Sequence, residues 1–207
     1  IDTADWDLIT QRELNSIDER CSEIAVRIGF PLVVKPANSG SNAGTSIAND
    51  MEELITAVKI AFSNDNKVVI EKYIKARKLE AAVFGYDTPF SSYIGEIVSD
   101  DGSYDPANFS VSSGDSLIIP ADITEEQQKS IRETAVKAFK AAGCKGLARL
   151  DFFLSEDGTL LLNKIGTMPG LRQSSVFTRL MEHLGMTLSD IIDSLLEQAI
   201  ENADRLY

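Results

Sequence analysis

The sequence predicts an α+β fold: mostly antiparallel sheet with packed helices. Three observations lead there. Strand-like segments follow one another over 67–98 with no helix between them. The segments Leu147–Leu154 and Leu160–Ile165 are joined through the short turn Glu156-Asp157-Gly158, which makes them antiparallel neighbours. Helical periodicity appears in separate blocks rather than alternating regularly with strands.

The elements follow in order. An extended opening from Trp6 to Ile9 leads into an amphipathic helix over Glu13–Ile28, where Leu14, Ile17, Cys21, Ile24, Ala25 and Ile28 recur at helical spacing. Gly29 ends it as a C-terminal glycine does. Leu32-Val33-Val34 is a short strand, and the polar stretch Asn38–Ser46 is a Gly-rich loop. Asn49 or Asp50 caps a helix over Met51–Phe62, with Glu52 and Glu53 in the first turn, where the helix dipole favours them. After the turn Asn64-Asp65-Asn66, three strands are expected at Lys67–Ile74, Leu79–Phe84 and Ser91–Val98. Ser99–Ser116 is a long surface loop of the kind that forms lids. Thr124-Glu125-Glu126-Gln127 starts a helix to about Ala142 with a capping box, and Gly143 closes it. The last third, Ser174–Leu184 and Leu188–Ala203, is helical with Gly185 between.

Composition narrows the function. A chain of 207 residues with 43% hydrophobic residues can bury a sizeable core as one or two domains. The net charge of −12, with no basic stripe, argues against general nucleic-acid binding, although local Lys and backbone N–H groups can still hold a nucleotide. There is neither an apolar run long enough for a bilayer nor a signal-peptide pattern, so a cytoplasmic protein without membrane partners is expected. Cys21 and Cys144 read as small buried thiols, in keeping with a reducing compartment. The chain begins at Ile1 without Met, as a piece of a longer protein would.

Three motifs carry chemistry. Lys35-Pro36-Ala37-Asn38-Ser39-Gly40-Ser41-Asn42-Ala43-Gly44-Thr45-Ser46 is a strand ending in Lys and opening into a loop whose glycines let backbone N–H groups approach an anion. Taken alone it describes a plain turn better than a phosphate loop. Ile70-Glu71-Lys72-Tyr73-Ile74 is a strand with an acidic residue near its end. Ala148-Arg149-Leu150-Asp151-Phe152-Phe153 and Leu162-Asn163-Lys164-Ile165-Gly166-Thr167-Met168-Pro169-Gly170 form a strand pair with Asp151 on one member and Lys164 on the other. Alternation puts Arg149 with Asp151, and Leu162 with Lys164 and Gly166.

These motifs, in this order and spacing, resemble the ATP-grasp region of the D-alanine–D-alanine ligase family from about Ile1 to Leu196. The resemblance implies two subdomains, residues 1–87 and 88–207, and ATP-dependent joining of two D-amino acids through an acylphosphate for peptidoglycan precursor synthesis. It implies ATP and Mg²⁺ as cofactors, small-molecule partners (ATP and D-amino acids), and a homodimer in the full-length protein. Lys35, Ser41 and Asn42 would contact the phosphates. Glu71, Lys72 and Ile74 would contact adenine, with Phe153 and Asn163 also at the nucleotide. Arg149 and the backbone of Gly170 would stabilise an oxyanion, a role a guanidinium fork suits. Ser175 would bind the second substrate's carboxylate or, on residue type alone, cap a helix.

The chain also departs from the family pattern. Lys78 replaces an acidic residue that binds the ribose hydroxyls, unless Glu80, on the same face, substitutes. In the lid, Tyr104-Asp105-Pro106-Ala107-Asn108-Phe109-Ser110 places Phe109 where the family has the Lys that reaches the terminal phosphate. Of three metal ligands only Asp151 is kept, with Lys164 at the Glu position and Gly166 at the Asn position. Two cations about 4 Å apart repel by roughly 4 kcal/mol at an effective dielectric of about 20, so a normal Mg²⁺ site is not expected. Either the Lys164 ammonium neutralises phosphate itself, or it points to solvent. His183, beside Leu180 and Leu184 at helical spacing, is a surface or packing residue. The alternative to an impaired ligase is a non-catalytic nucleotide- or partner-binding module.

Overall fold

Every strand pair with a defined register is antiparallel. The computed structural model describes residues 1–38, 43–99 and 115–203. Its contacts group residues 3–75 in one unit and residues 76–98 with 116–203 in another. The reason is the strand Arg77–Gly85, whose ladder partners all lie in the later part of the chain.

In residues 3–75, β1 (Trp6–Thr10), β2 (Leu32–Pro36), β3 (Ser46–Ala48) and β4 (Lys67–Lys72) form a sheet in the order β1-β4-β2-β3. Helices α1 (Ile17–Ile28) and α2 (Met51–Phe62) cover one face. Leu32, Val34, Val68 and Ile70 meet Cys21, Ile24, Leu54 and Val58 there. Alternation leaves Val33, Lys35, Val69 and Glu71 on the other face. β3 was not expected: it starts at Ser46, the last residue of the expected loop, and its three residues pair with β2.

The expected helix over Glu13–Ile28 starts later, at Ile17, behind a 3₁₀ turn over Gln11–Ser16. The Glu13 carboxylate folds back to accept from the Thr10 N–H (2.9 Å) and hydroxyl (2.7 Å), which tightens the first turn. Gly29 follows α1 at φ 78°, a conformation other residues rarely adopt. Asp50, of the two cap candidates, accepts from the Glu53 N–H.

The second unit is built on β5 (Arg77–Gly85), β6 (Phe90–Ser91), β7 (Gly95–Ser99), β8 (Asp115–Ile118), β9 (Gly146–Leu154) and β10 (Leu160–Gly166), in the order β10-β9-β5-β7-β8 with β6 beside β5. The expected strand Ser91–Val98 is broken because Ser92 enters the ladder with its side chain: the Ala82 N–H donates to Ser92 Oγ (3.0 Å), and the Ser92 N–H donates to the Ala82 carbonyl (2.8 Å). Helix α3 (Glu125–Ala141) covers one sheet face. Ile131, Ala135 and Phe139 pack there on Leu79, Ala81, Leu150 and Phe152. Helices α4 (Val176–His183) and α5 (Leu188–Glu201) cover part of the other face, with Phe177, Leu180 and Ile191 against Ala82 and Phe84. Cys21 is fully buried and Cys144 only partly so. Among the described residues no helix is long and apolar enough to cross a membrane.

Asp7 ties α1 to β1 by pairing with Arg20 (3.2 Å) and Arg27. Burial pushes its pKa up, but the Leu8 N–H and the Arg27 and Arg20 guanidiniums outweigh this and hold it below the ordinary 3.8. A carboxylate with a depressed folded pKa contributes stability that is present above its unfolded pKa and lost as pH falls through the folded value. Asp7→Asn is therefore expected to destabilise the protein in urea titrations near neutral pH, with the difference shrinking below about pH 4. A difference that does not change with pH would contradict this.

Candidate functional site

Strand register brings five charged residues of the second unit onto one sheet face, while Arg77 and Glu96 pair on the other. On β5 and β9, Lys78 stands opposite Phe153, Glu80 opposite Asp151, and Ala82 opposite Arg149. On β10, Lys164 stands opposite Asp151 and Gly166 opposite Arg149. Directly opposed residues share a face, so Lys78, Glu80, Arg149, Asp151, Phe153, Lys164 and Gly166 lie together. The same face is apolar further along, where α4 and α5 pack.

Alternation mispredicted one part of this. The β9–β10 register shifts between Leu162 and Lys164, which leaves Asn163 as a bulge residue. Leu162 consequently packs with Ile165 against the α3 core, while Lys164 and Gly166 face the other way. A strand without the bulge would have kept Leu162 and Lys164 together.

The centre of the face is a fork. Arg149 donates from Nε to Asp151 Oδ1 and from a terminal nitrogen to Oδ2, each at 2.7 Å. Its Nε also lies 3.2 Å from Glu80 Oε2, but the N–H points at Asp151, so this buried Glu80 oxygen makes no hydrogen bond. Glu80 and Asp151 are 6% and 7% exposed. Burial pushes the Glu80 carboxyl up to about 8, reinforced by the Asp151 charge and opposed by Arg149, Lys164 and Lys78. Burial alone would lower the Arg149 pKa. The Asp151 hydrogen bonds and charge, with Glu80, reverse this and hold it above the ordinary guanidinium value. Glu80 shares the face of Lys78, and its carboxyl is buried beside Arg149.

These residues do not fit Mg²⁺. Both Asp151 oxygens already accept from Arg149, Lys164 is its neighbour on β10, and Gly166 has no side-chain donor atom. No group of three His, Cys, Asp or Glu side chains among the described residues could hold a metal ion. The backbone does not demand the glycine: a Cβ on Gly166 would meet only the Arg149 carbonyl, at an ordinary 3.7 Å.

Gly170 and Ser175 come together ahead of α4. A Cβ on Gly170 would lie 2.8 Å from Ser175 Oγ, so a larger residue there would require the Ser175 hydroxyl to turn away. Ser175 occupies the N-cap position of α4 yet makes no side-chain cap bond. His183 is exposed and stacks edge-on to Tyr93 at 5.4 Å. A groove of about 780 Å³ along α3, lined by Tyr93, Ile123, Gln128 and Arg132 among others, contains none of the predicted site residues.

In the first unit, Lys35 Nζ donates to Glu71 Oε2 at 2.7 Å across β2 and β4. This pairing, 36 positions apart in sequence, was not anticipated, because it depends on register. The Lys72 side chain turns to the chain end of α1 and donates to the carbonyls of Gly29 (3.1 Å) and Phe30 (2.8 Å), while its backbone N–H donates to the Asp5 carbonyl (2.7 Å). Ile74 is half-buried just beyond β4. Ser41, Asn42, Phe109 and Ser110 lie outside the described residues.

The two antiparallel sheets with their flanking helices define an ATP-grasp fold, as in the solved ligases that the structure matches. The D-alanine–D-alanine ligase from Coxiella burnetii matches with a TM-score of 0.85 and 28% identity, covering 100% of this chain and 54% of that one. The VanG D-Ala:D-Ser ligase from Enterococcus faecalis matches at 0.83 and 28%, over 95% and 57%. The chain belongs to the family described as D-ala D-ala ligase C-terminus, whose model matches residues 1–197. A D-alanine–D-alanine ligase of Shouchella clausii is 43% identical over 184 residues, 88% of this chain and 50% of the relative. One of Geobacillus thermodenitrificans is 43% identical over 178 residues, 86% and 49% respectively. The chain thus spans about half the length of the curated relatives it matches.

The fork and the exposed lysine should respond differently to substitution. Arg149→Met leaves Glu80 and Asp151 buried without their partner and is expected to cost about 3–5 kcal/mol in urea unfolding. Lys164→Gln, at an exposed position, should stay within about 0.5 kcal/mol. Equal effects would show that the fork does not hold the strands.

Proposed function

We propose that this chain is the nucleotide-binding half of a D-alanine–D-alanine ligase-like protein in which metal-supported phosphoryl transfer is impaired. In the ligase reaction, ATP phosphorylates the carboxylate of one D-alanine, and the amine of a second displaces phosphate from the acylphosphate. Mg²⁺, where such a site binds it, neutralises the phosphate charge. The residues present oppose that part of the chemistry and support the rest. Lys35, next to the Gly-rich loop, would meet phosphate, and Glu71 with the backbone toward Ile74 would meet adenine. Phe153 and Asn163 would lie at the nucleotide. Arg149 and the Gly170 N–H would face the oxyanion, and Ser175 the second substrate's carboxylate. Release of Arg149 from Asp151 would be needed first, since a guanidinium spent on a carboxylate does not stabilise developing charge elsewhere.

The observation that carries the reading is Lys164 placed opposite Asp151, with both Asp151 oxygens taken by Arg149. It equally favours a non-catalytic nucleotide-binding role over a working ligase. A cytoplasmic location, a part in peptidoglycan precursor synthesis and a homodimer of the longer protein follow the ligase reading.

D-alanine-dependent phosphate release from ATP with Mg²⁺ is expected to stay at background for the unaltered chain. The Lys164→Glu/Gly166→Asn double variant should acquire Mg²⁺-dependent ATP binding in calorimetry, a Cβ at 166 meeting the Arg149 carbonyl only at ordinary contact distance. D-alanine-dependent turnover by the unaltered chain would sink the impaired reading.

A further inference from the structure

The charge balance of the sheet face runs opposite to that of a metal-binding site. Among the described residues, Lys78, Arg149 and Lys164 share this face with two carboxylates, Glu80 and Asp151. Glutamate at 164 would leave two cations facing three carboxylates, a face that could attract a polyphosphate only after taking up a divalent cation. With lysine there, the described residues of the face sum to a net positive charge. The two carboxylates are also turned inward: Asp151 is held bidentate by Arg149, and the Glu80 oxygen beside Arg149 is buried and unpartnered. Lys164 is exposed, and the bulge at Asn163 turns it onto this face.

We propose that Lys164 takes the place of the divalent cation, making this a metal-independent site for the polyphosphate of a nucleotide. An ammonium is a compact charge with three donors, suited to phosphate oxygens from several directions. Arg149 stays on Asp151, which withholds that carboxylate from a metal and offsets its repulsion of an anion. A Mg²⁺ ion bound to the ligand removes part of its negative charge and so weakens its attraction to this face. Magnesium is then a competitor of the site, not its cofactor. The inference rests on the nucleotide reading above and adds the inverted metal dependence.

The test is calorimetric titration of the full chain with ATP, and separately with inorganic tripolyphosphate, in EDTA and in excess Mg²⁺. Both ligands are expected to bind in EDTA and to weaken about threefold or more in Mg²⁺. Lys164→Gln should lose about tenfold in EDTA with an unchanged melting temperature. Lys164→Glu with Gly166→Asn should reverse the preference and bind better with Mg²⁺. Tighter binding by the unaltered chain in Mg²⁺, or an unaffected Lys164→Gln, would overturn the proposal while leaving the nucleotide reading in place. No binding of either ligand in either buffer would overturn both. Tripolyphosphate binding without ATP binding would support the anion site and refute the nucleotide reading.

Discussion

The Arg149 guanidinium sits between two carboxylates contributed by adjacent strands, and the rest of the second unit is arranged around that contact. It makes two hydrogen bonds to Asp151 on its own strand and approaches Glu80 on β5. Two nearly buried carboxylates side by side would repel each other, and removing them from water would cost several kcal/mol each without a partner. The arginine makes their burial tolerable. It thereby allows β5 and β9 to run side by side over nine paired residues, with the α3 core on their other face.

The same contact constrains chemistry. A carboxylate whose two oxygens both accept from a guanidinium has little left for a cation, and the residue across from it on β10 is itself a cation. Geometry and charge thus agree in opposing a cation at Asp151. Gly166 itself lies in ordinary backbone, where a Cβ would be accommodated.

Much of the fold was legible in the chain. The capping box at Thr124, the Asp50 cap, Gly29 after α1 and the β9–β10 hairpin all depend on chemistry within a few residues, which a linear reading captures. The misses share a physical cause. Ser92 breaks a strand by placing its hydroxyl in the ladder of a distant residue, Ala82. Asn163 bulges out of a strand whose alternation looked regular, and that one residue decides which side Lys164 faces. The Lys35–Glu71 pair depends on the register of β2 against β4.

The sequence by itself determined the family, the order of elements and the identity of the residues that depart from the family pattern, because these follow from residue type and spacing. Only the tertiary structure decided what those residues do to one another. Register across three strands sets Lys164 against Asp151, spends Asp151 on Arg149 and buries Glu80 beside them. The physical reason is that a charge acts on whatever lies within a few ångströms, and in a sheet those neighbours come from strands far apart along the chain.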